Sequence, residues 1–143
     1  MCSYCGCRAN TIIARFTAEH EVIVNALGVV RRAADSGDAA ALSAAADRLA
    51  ATLAPHTAAE ELALFVELRR DPTLTEHIDL LCAEHIDLDR RLDGLRRGEP
   101  DGFGKFEFAL RRHIDKEENG LFPASVIALD GPSWTRVEEL LPT

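Results

Sequence analysis

The sequence predicts an all-α protein, an antiparallel up-down-up-down four-helix bundle with a short C-terminal helix and a Cys-rich N-terminal segment. Two observations favour this class. Apolar residues make up 47% of the chain, many of them Ala and Leu, with only six Pro and nine Gly, and such a composition suits long helices. Apolar residues also recur at steps of three or four along four long stretches, which is the spacing of one helix face. The 143 residues are enough for one core.

The predicted helices are bounded by residues that start or stop helices. Asn10 is expected to cap the first helix, Gly37 to end it, and Asp38 to cap the second. Pro55 is expected to kink or loosen the second helix, because proline removes a backbone donor. The predicted helices are residues 10–36, 38–70, 73 or 75 to 97, 103–119 and 133–141.

The connections and the C-terminus complete the predicted organisation. The fourth helix is expected to end near Gly120 and Pro123, and the short last helix to pack on the bundle through Trp134, Val137 and Leu140. Short turns between long helices favour antiparallel neighbours. The predicted divisions are residues 1–9 as a Cys-rich segment, 10–123 as the bundle and 124–143 as a tail.

Charge and hydropathy exclude some partners. The formal net charge is -8, and the basic residues are scattered, so that a nucleic-acid partner is not expected. The sequence shows neither the long apolar run of a membrane span nor the layout of a signal peptide, and we therefore expect a cytoplasmic protein without a membrane partner.

The chain contains an internal repeat. The tripeptide Ala-Glu-His that ends at His20 returns ending at His85, and HTAAEELALF from His56 returns as HIDKEENGLF from His113. Each half is therefore a predicted helical hairpin with one lone histidine and one HxxxEExxLF element. Two such halves around a pseudo-twofold axis would build a symmetric site.

Six residues of this repeat are of the types that bind metals. Residues four apart on a helix point the same way, so each HxxxE element can chelate an ion. Counting residues from the connecting turns places the candidates of all four helices at one level. Burying them unpaired would cost roughly 2 to 7 kcal/mol for each neutral group, and cations would offset that cost. Imidazole with carboxylate suits iron, manganese or zinc. The candidate ligands are His20, His56, Glu60, His85, His113 and Glu117.

The order of these residues resembles the H-HxxxE-H-HxxxE signature of hemerythrin-like HHE proteins, over about Asn10 to Pro123. The resemblance implies a non-haem di-iron centre, bridged by oxo, hydroxo or water. It implies that His20 and His56 bind one iron and that His85 and His113 bind the other. Glu60 and Glu117 would bridge the two ions. Iron is favoured by the resemblance, whereas the ligand types leave manganese and zinc open.

One position departs from the oxygen-carrying members of this family, which have a fifth histidine where this chain has Leu81. The resemblance therefore implies open metal positions for solvent, dioxygen, peroxide or nitric oxide. The expected function is redox chemistry with such a small oxidant, as an oxidoreductase with an unknown reductant. The alternative is an iron, oxygen or redox sensor without steady turnover, since a related domain in an F-box protein senses iron. The oligomeric state stays open.

Accessory residues are predicted around the six candidate ligands. Glu61 and Glu118 follow the proposed bridging residues, and the rotation of the helix makes them expected partners of ligand histidines. The cysteines are expected to be thiols or metal ligands and not structural disulfides. We hypothesise that the N-terminal segment folds toward the metal layer and that its groups donate electrons, bind metal or gate access. The residues of this hypothesis are Cys2, Tyr4, Cys5, Cys7 and Cys82.

Overall fold

The computed structural model describes residues 7–142, with side chains from residue 9 onward, and this range is all helix and connecting turns. The all-α prediction is confirmed. No helix in the described range is long and apolar enough to cross a membrane. The α-helices are α1 (Cys7–Ser36), α2 (Ala39–Ala59), α3 (Phe65–Leu68), α4 (Thr75–Arg96), α5 (Phe103–Lys116), α6 (Phe122–Ala128) and α7 (Gly131–Leu140).

The first helix starts earlier than predicted and ends as predicted. α1 begins at Cys7, so that Asn10 lies inside it and does not cap it. Gly37 has a positive φ of 72°, a conformation that glycine adopts without strain. The Asp38 side chain accepts hydrogen bonds from the N–H groups of Ala40 and Ala41 at 3.0 and 3.2 Å, and it thereby caps α2.

Two π turns interrupt long helical stretches, which we call rods. One lies between α2 and α3, and the other lies between α5 and α6. α2 continues past Pro55 without a break, and the departure from α geometry comes later, at Glu60–Leu64. The second π turn is Glu117–Leu121, at the equivalent place in the repeat. In the first turn, the backbone N–H of Phe65 donates to the carbonyl of Glu60. In the second, the N–H of Phe122 donates to the carbonyl of Glu117. Single π turns inside α-helices often mark functional sites.

The predicted end of the fourth helix was wrong. The helical chain passes through Gly120 and Pro123 and stops only after Ala128. Pro123 lies in the first turn of α6, directly after the second π turn. A proline is tolerated at the start of a helix because its missing N–H would have no partner in the preceding turn.

The helices enclose two apolar clusters with a polar layer between them. α1 packs on α2 and α5, and α4 packs on α2 and α5. An ion pair joins Asp47, in the first half of α2, to Arg96, the last residue of α4. One cluster surrounds Phe16, Phe65 and Trp134, and the other surrounds Leu27, Leu49, Leu92 and Phe106. All four candidate ligand histidines lie between these clusters along the rods.

The last helix, α7, closes one end of the molecule. It packs on α1, α3 and the first π turn, with Trp134 and Val137 buried. Leu140, predicted to pack as well, is 46% exposed, because α7 ends at that residue. Glu67 is buried and accepts hydrogen bonds from Arg136 Nε and Nη2, the shortest at 2.7 Å. This two-pronged pair fastens α7 to α3.

We predict that Arg136→Ala lowers the free energy of unfolding by less than the loss of one partner from a fully buried pair would, because the Arg136 side chain is 42% exposed, but by clearly more than Arg70→Ala does. The variant leaves the buried Glu67 carboxylate without its main partner. Urea denaturation measures the change. Arg70→Ala is the control, since Arg70 reaches the same carboxylate only at 3.8 Å from an exposed position, and it should cost under ~0.5 kcal/mol.

The contribution of the Glu67–Arg136 pair to the free energy of unfolding also depends on pH. Hydrogen bonding to Arg136 lowers the pKa of Glu67, so the pair stabilises the fold above the ordinary glutamate pKa. Its contribution is lost as the pH falls through the lowered value. The difference between the wild type and Arg136→Ala should therefore vanish in acid, and a difference that persists there would contradict the assignment.

Candidate metal centre

The six candidate ligands come from four helical segments and meet in the polar layer. His20 lies on α1, His56 on α2, His85 on α4 and His113 on α5, and all four are buried. Glu60 and Glu117 are the first residues of the two π turns, and both are 0% exposed. Ionisable groups are almost never buried so completely without a partner.

The side chains form two overlapping groups that share both carboxylates. One group is His20, His56, Glu60 and Glu117, and the other is His85, His113, Glu60 and Glu117. Within each group, one ligand atom per residue lies within 4.8 Å of all the others. Each group can therefore hold one cation, and the shared carboxylates lie where they could bridge two.

The inner faces of the histidines point at the shared carboxylates. His20 Nε2 lies 2.9 Å from Glu117 Oε1, and His56 Nε2 lies 3.3 Å from Glu60 Oε1. In the other half, His85 Nε2 lies 3.4 Å from Glu60 Oε1, and His113 Nε2 lies 3.5 Å from Glu117 Oε2. Three of these four separations are longer than a good hydrogen bond. His20 with Glu117, and the two Nε2 atoms of His85 and His113 at 3.1 Å, do lie within hydrogen-bond distance, so the inner groups satisfy one another only in part.

Several of the inner atoms have no hydrogen-bond partner in the described part of the chain. They are His56 Nε2, Glu60 Oε1, Glu60 Oε2 and Glu117 Oε2. Leaving such atoms unsatisfied in a dry interior costs about 1–3 kcal/mol for each group, and more for a charge. A cation in each group would satisfy these atoms, so the residues fit metal binding by their chemistry and by their orientation.

Each histidine is oriented by a carboxylate on its outer nitrogen. The Nδ1 atoms lie 2.6 to 2.8 Å from their carboxylate oxygens, in the pairs His20–Glu118, His56–Glu19, His85–Glu61 and His113–Glu84. A proton on Nδ1 donates to the carboxylate, which leaves the Nε2 lone pair facing inward. Such outer carboxylates raise the basicity of ligand histidines and fix their tautomer.

Two of these outer carboxylates had been predicted and two had not. Glu61 and Glu118 had been expected to partner histidines, and the structure pairs them with His85 and His20. Glu19 and Glu84, which precede His20 and His85 in the repeated Ala-Glu-His, were not predicted. The recurrence of this tripeptide was the signal that could have identified them.

The outer carboxylates are themselves held by other side chains. Arg15 Nε donates to Glu19 at 3.2 Å, and Thr17 Oγ1 donates to Glu118 at 3.0 Å. Lys116 forms an ion pair with Glu84. Different partners thus surround the two halves of the pseudo-symmetric site.

Aromatic rings line the polar layer from the α7 side. Phe122 stacks on His20 with ring centroids 5.7 Å apart, and Phe65 stacks on His85 at 5.9 Å. Phe16 meets His56 edge to face at 5.7 Å. Phe65 and Phe122 are the last residues of the repeated element, and each follows a π turn. They keep water from the inner faces of the histidines.

The electrostatics of the metal-free layer favour one shared proton. Burial and the nearby charge of Glu117 raise the pKa of Glu60 well above its ordinary value. Burial also opposes the charge on Glu117, but the neighbouring Glu60 and the histidines outweigh it and lower the pKa of Glu117. The pair therefore favours holding one proton, with Glu60 the more readily protonated member, until a cation makes it favourable for both carboxylates to ionise.

The cysteine hypothesis is tested only in small part. Cys2, Tyr4 and Cys5 lie outside the described residues, as does the side chain of Cys7, whose backbone begins α1. Cys82 is half-buried and accepts a hydrogen bond from Arg69 Nη2 at 3.6 Å. Burial and the charge of Glu61 raise the pKa of its thiol, which disfavours the thiolate that reacts or binds metal.

Fold and site together define a helical cation-binding protein with a buried His/Glu cluster. The family model described as Hemerythrin HHE cation binding domain matches residues 11–125. The chain therefore belongs to the hemerythrin HHE cation-binding family, and the resemblance noted from the sequence is confirmed. No curated protein and no solved structure matches the chain significantly.

We predict that Glu19→Gln and Glu84→Gln each weaken metal binding about 10- to 100-fold, because the amide neither carries the charge nor orients the histidine equally well. Competition with a chromophoric chelator measures the affinity. Glu21→Gln, two residues along α1 and exposed, should leave it unchanged. Equal affinity in all three variants would refute a positioning role for Glu19 and Glu84.

We predict that adding metal to the metal-depleted protein releases a proton from Glu60, because its raised pKa keeps it protonated above the ordinary glutamate value. Metal affinity should rise with pH through this range. The stability of the metal-free fold should fall over the same range, since the folded state holds this proton more tightly than the unfolded chain. An indicator dye in weak buffer measures the release, which Glu60→Gln should reduce.

Proposed function

We propose that this protein holds two iron ions in the His/Glu layer and carries out redox chemistry on a small oxidant such as dioxygen, peroxide or nitric oxide. The single observation that carries the proposal is the pair of four-residue groups that share Glu60 and Glu117. Two shared carboxylates suit two adjacent cations, and mixed nitrogen and oxygen ligands suit iron. The proposal keeps the assignment of His20 and His56 to one ion and of His85 and His113 to the other.

The proposal includes the antiparallel four-helix arrangement. It is supported by the order of the contacts between neighbours. The stretch from α2 through the first π turn to the end of α3 is joined to α4 by Asp47–Arg96, by Glu61–His85 and by Arg69–Asp79. The residue number rises along the first stretch as it falls along α4. The same inversion relates α1 to α5 and the π turn that follows it, through an ion pair of Arg31 with Glu107 and a hydrogen bond of Thr17 with Glu118.

The protein's own residues would bind, orient and shield the ions. The four Nε2 atoms supply neutral ligands, and the two inner carboxylates neutralise part of the metal charge. The outer carboxylates hold the imidazole rings in place and leave their inner lone pairs free. When bound, the iron pair would supply redox equivalents and positions at which a small oxidant can react.

The side chains around the polar layer support a reaction with a small oxidant over the simple carriage of dioxygen. Leu81 and Phe16 each lie one turn before a candidate ligand histidine, and both are 0% exposed. With apolar side chains there, the described residues offer six inner ligands to two ions that usually take five or six each. The open positions would face an apolar lining that admits a small neutral molecule and excludes bulk water.

Metal analysis and spectroscopy of the aerobically purified protein test the proposal. We expect about two irons per chain and the charge-transfer absorption of an oxo-bridged ferric pair, which zinc lacks. The double variant Glu60→Ala with Glu117→Ala should lose both ions, because each group loses half its ligands, whereas Glu21→Gln should keep them. Retention of both irons by the double variant would refute the shared-carboxylate assignment.

Kinetics separate the two candidate classes of function. Iron-loaded protein that consumes peroxide steadily in the presence of a reductant supports the redox enzyme. A stable adduct without turnover contradicts it and favours a sensor, in which binding changes helix packing. Stopped-flow absorbance with hydrogen peroxide distinguishes the two, with the metal-depleted protein as the blank.

A further inference from the structure

A groove between α4 and α5 leads from the surface to a candidate ligand. Its volume is about 480 Å³, within the range of small-molecule sites. Leu88 and Ala109 are among the lining residues, and Glu84 and His113 connect the groove with the metal layer. Phe108 lines it as well and is 66% exposed. Among the exposed large apolar side chains of the described residues, it is the only aromatic one.

The groove is basic although the chain as a whole is acidic. Arg91, Lys105, Arg112 and Lys116 all line it. Arg91 and Lys116 are engaged by Asp87 and Glu84. Lys105 and Arg112 form no ion pair with any residue that the structure describes, so they are free to bind an anion. They flank Phe108 along one face of α5.

The repeat provides an internal comparison. The equivalent groove between α1 and α2 reaches His56 and Glu19 but has a smaller volume of about 340 Å³. Where the second half has Phe108, Arg112 and Lys116, the repeat places Ala51, Pro55 and Ala59 in the first half. The ring and two of the cations are thus additions to one side of an otherwise repeated site.

We propose that the α4/α5 groove binds a planar aromatic molecule that carries a phosphate, of the chemical class of flavin mononucleotide. The ring system would stack on Phe108, and the phosphate would contact Lys105 and Arg112. Such a ligand would use both the exposed ring and the unpaired cations of the groove, by aromatic stacking and by charge-assisted hydrogen bonds to the phosphate. The ligand would lie beside His113, and thus beside the metal layer.

This site also supplies the reductant that the proposed function needs, and this part rests on that function. Reduced flavin and hydrogen peroxide together give oxidised flavin and two molecules of water. Two electrons and two protons leave the flavin, and the oxygen–oxygen bond of peroxide is broken. A two-electron carrier of this class therefore balances the reaction without a further reactant.

Fluorescence titration of flavin mononucleotide with the full-length, metal-containing protein tests the site. We expect saturable quenching with one ligand per chain. Lys105→Ser with Arg112→Ser should weaken binding about tenfold or more, and Phe108→Ala about fivefold or more. Riboflavin, which lacks the phosphate, should bind the wild type as weakly as flavin mononucleotide binds the double variant.

The matched control is Arg32→Ser with Arg48→Ser. These cations are also unpaired among the described residues, and the charge change is identical, but neither lines the groove. The control should bind like the wild type. Equal weakening in both double variants, or no saturation up to about 1 mM flavin, would overturn the site. Circular dichroism and metal content, unchanged in every variant, exclude unfolding as the cause.

Anaerobic mixing of reduced flavin mononucleotide with peroxide and the protein tests the role as reductant. The protein should accelerate flavin oxidation, and the Lys105/Arg112 variant should lose this acceleration while still consuming peroxide with reduced methyl viologen. Equal acceleration by that variant would overturn the role. Failure of peroxide consumption with both reductants would instead refute the proposed function, while the titration still decides the binding site.

Discussion

The burial of six polar side chains between two apolar clusters constrains the rest of this molecule. A histidine in such a layer must satisfy two nitrogens, and here each outer nitrogen has a carboxylate within 2.6 to 2.8 Å. That arrangement leaves four inner nitrogens and two inner carboxylates directed at one another. The helices must hold all of them at one height, because displacement by a single helical turn of about 5.4 Å would separate the groups. Cations are the simplest means by which this layer becomes tolerable in a dry interior.

The two π turns show how the rods meet this constraint. Each begins at an inner glutamate and is followed by a phenylalanine that stacks on a histidine of another helix. The wider turn adds a residue between the inner carboxylate and that ring. Glu61 and Glu118, the second residues of the turns, reach histidines on neighbouring helices. In each half, one π turn thus places three side chains at the polar layer. They are the inner glutamate, the glutamate after it and the phenylalanine that follows the turn.

Most of the fold and the inner site could be predicted from the sequence, because both depend on periodicity. Nearly all the apolar residues that recur at steps of three or four along the predicted helices are buried, since this spacing fixes one helix face whatever the tertiary context. Two residues of this pattern are only half-buried: Ile13, in the second turn of α1, and Leu74, directly before α4. The π turns were not predicted because counting residues from the connecting turns assumes regular α geometry along the whole helix. Glu19 and Glu84 escaped because their use depends on which neighbouring helix offers a histidine.

The exchange of carboxylates across the repeat has a consequence for how the site could have arisen. Glu19 and Glu84 serve histidines of their own hairpin, whereas Glu118 reaches His20 and Glu61 reaches His85 in the opposite one. A lone hairpin would therefore leave one imidazole unsupported and its acidic partner without a target. Two identical hairpins that face each other across a twofold axis would satisfy every such contact. The geometry is thus that of a fused homodimer, in which duplication of one hairpin and joining of the copies preserve the complete set of contacts.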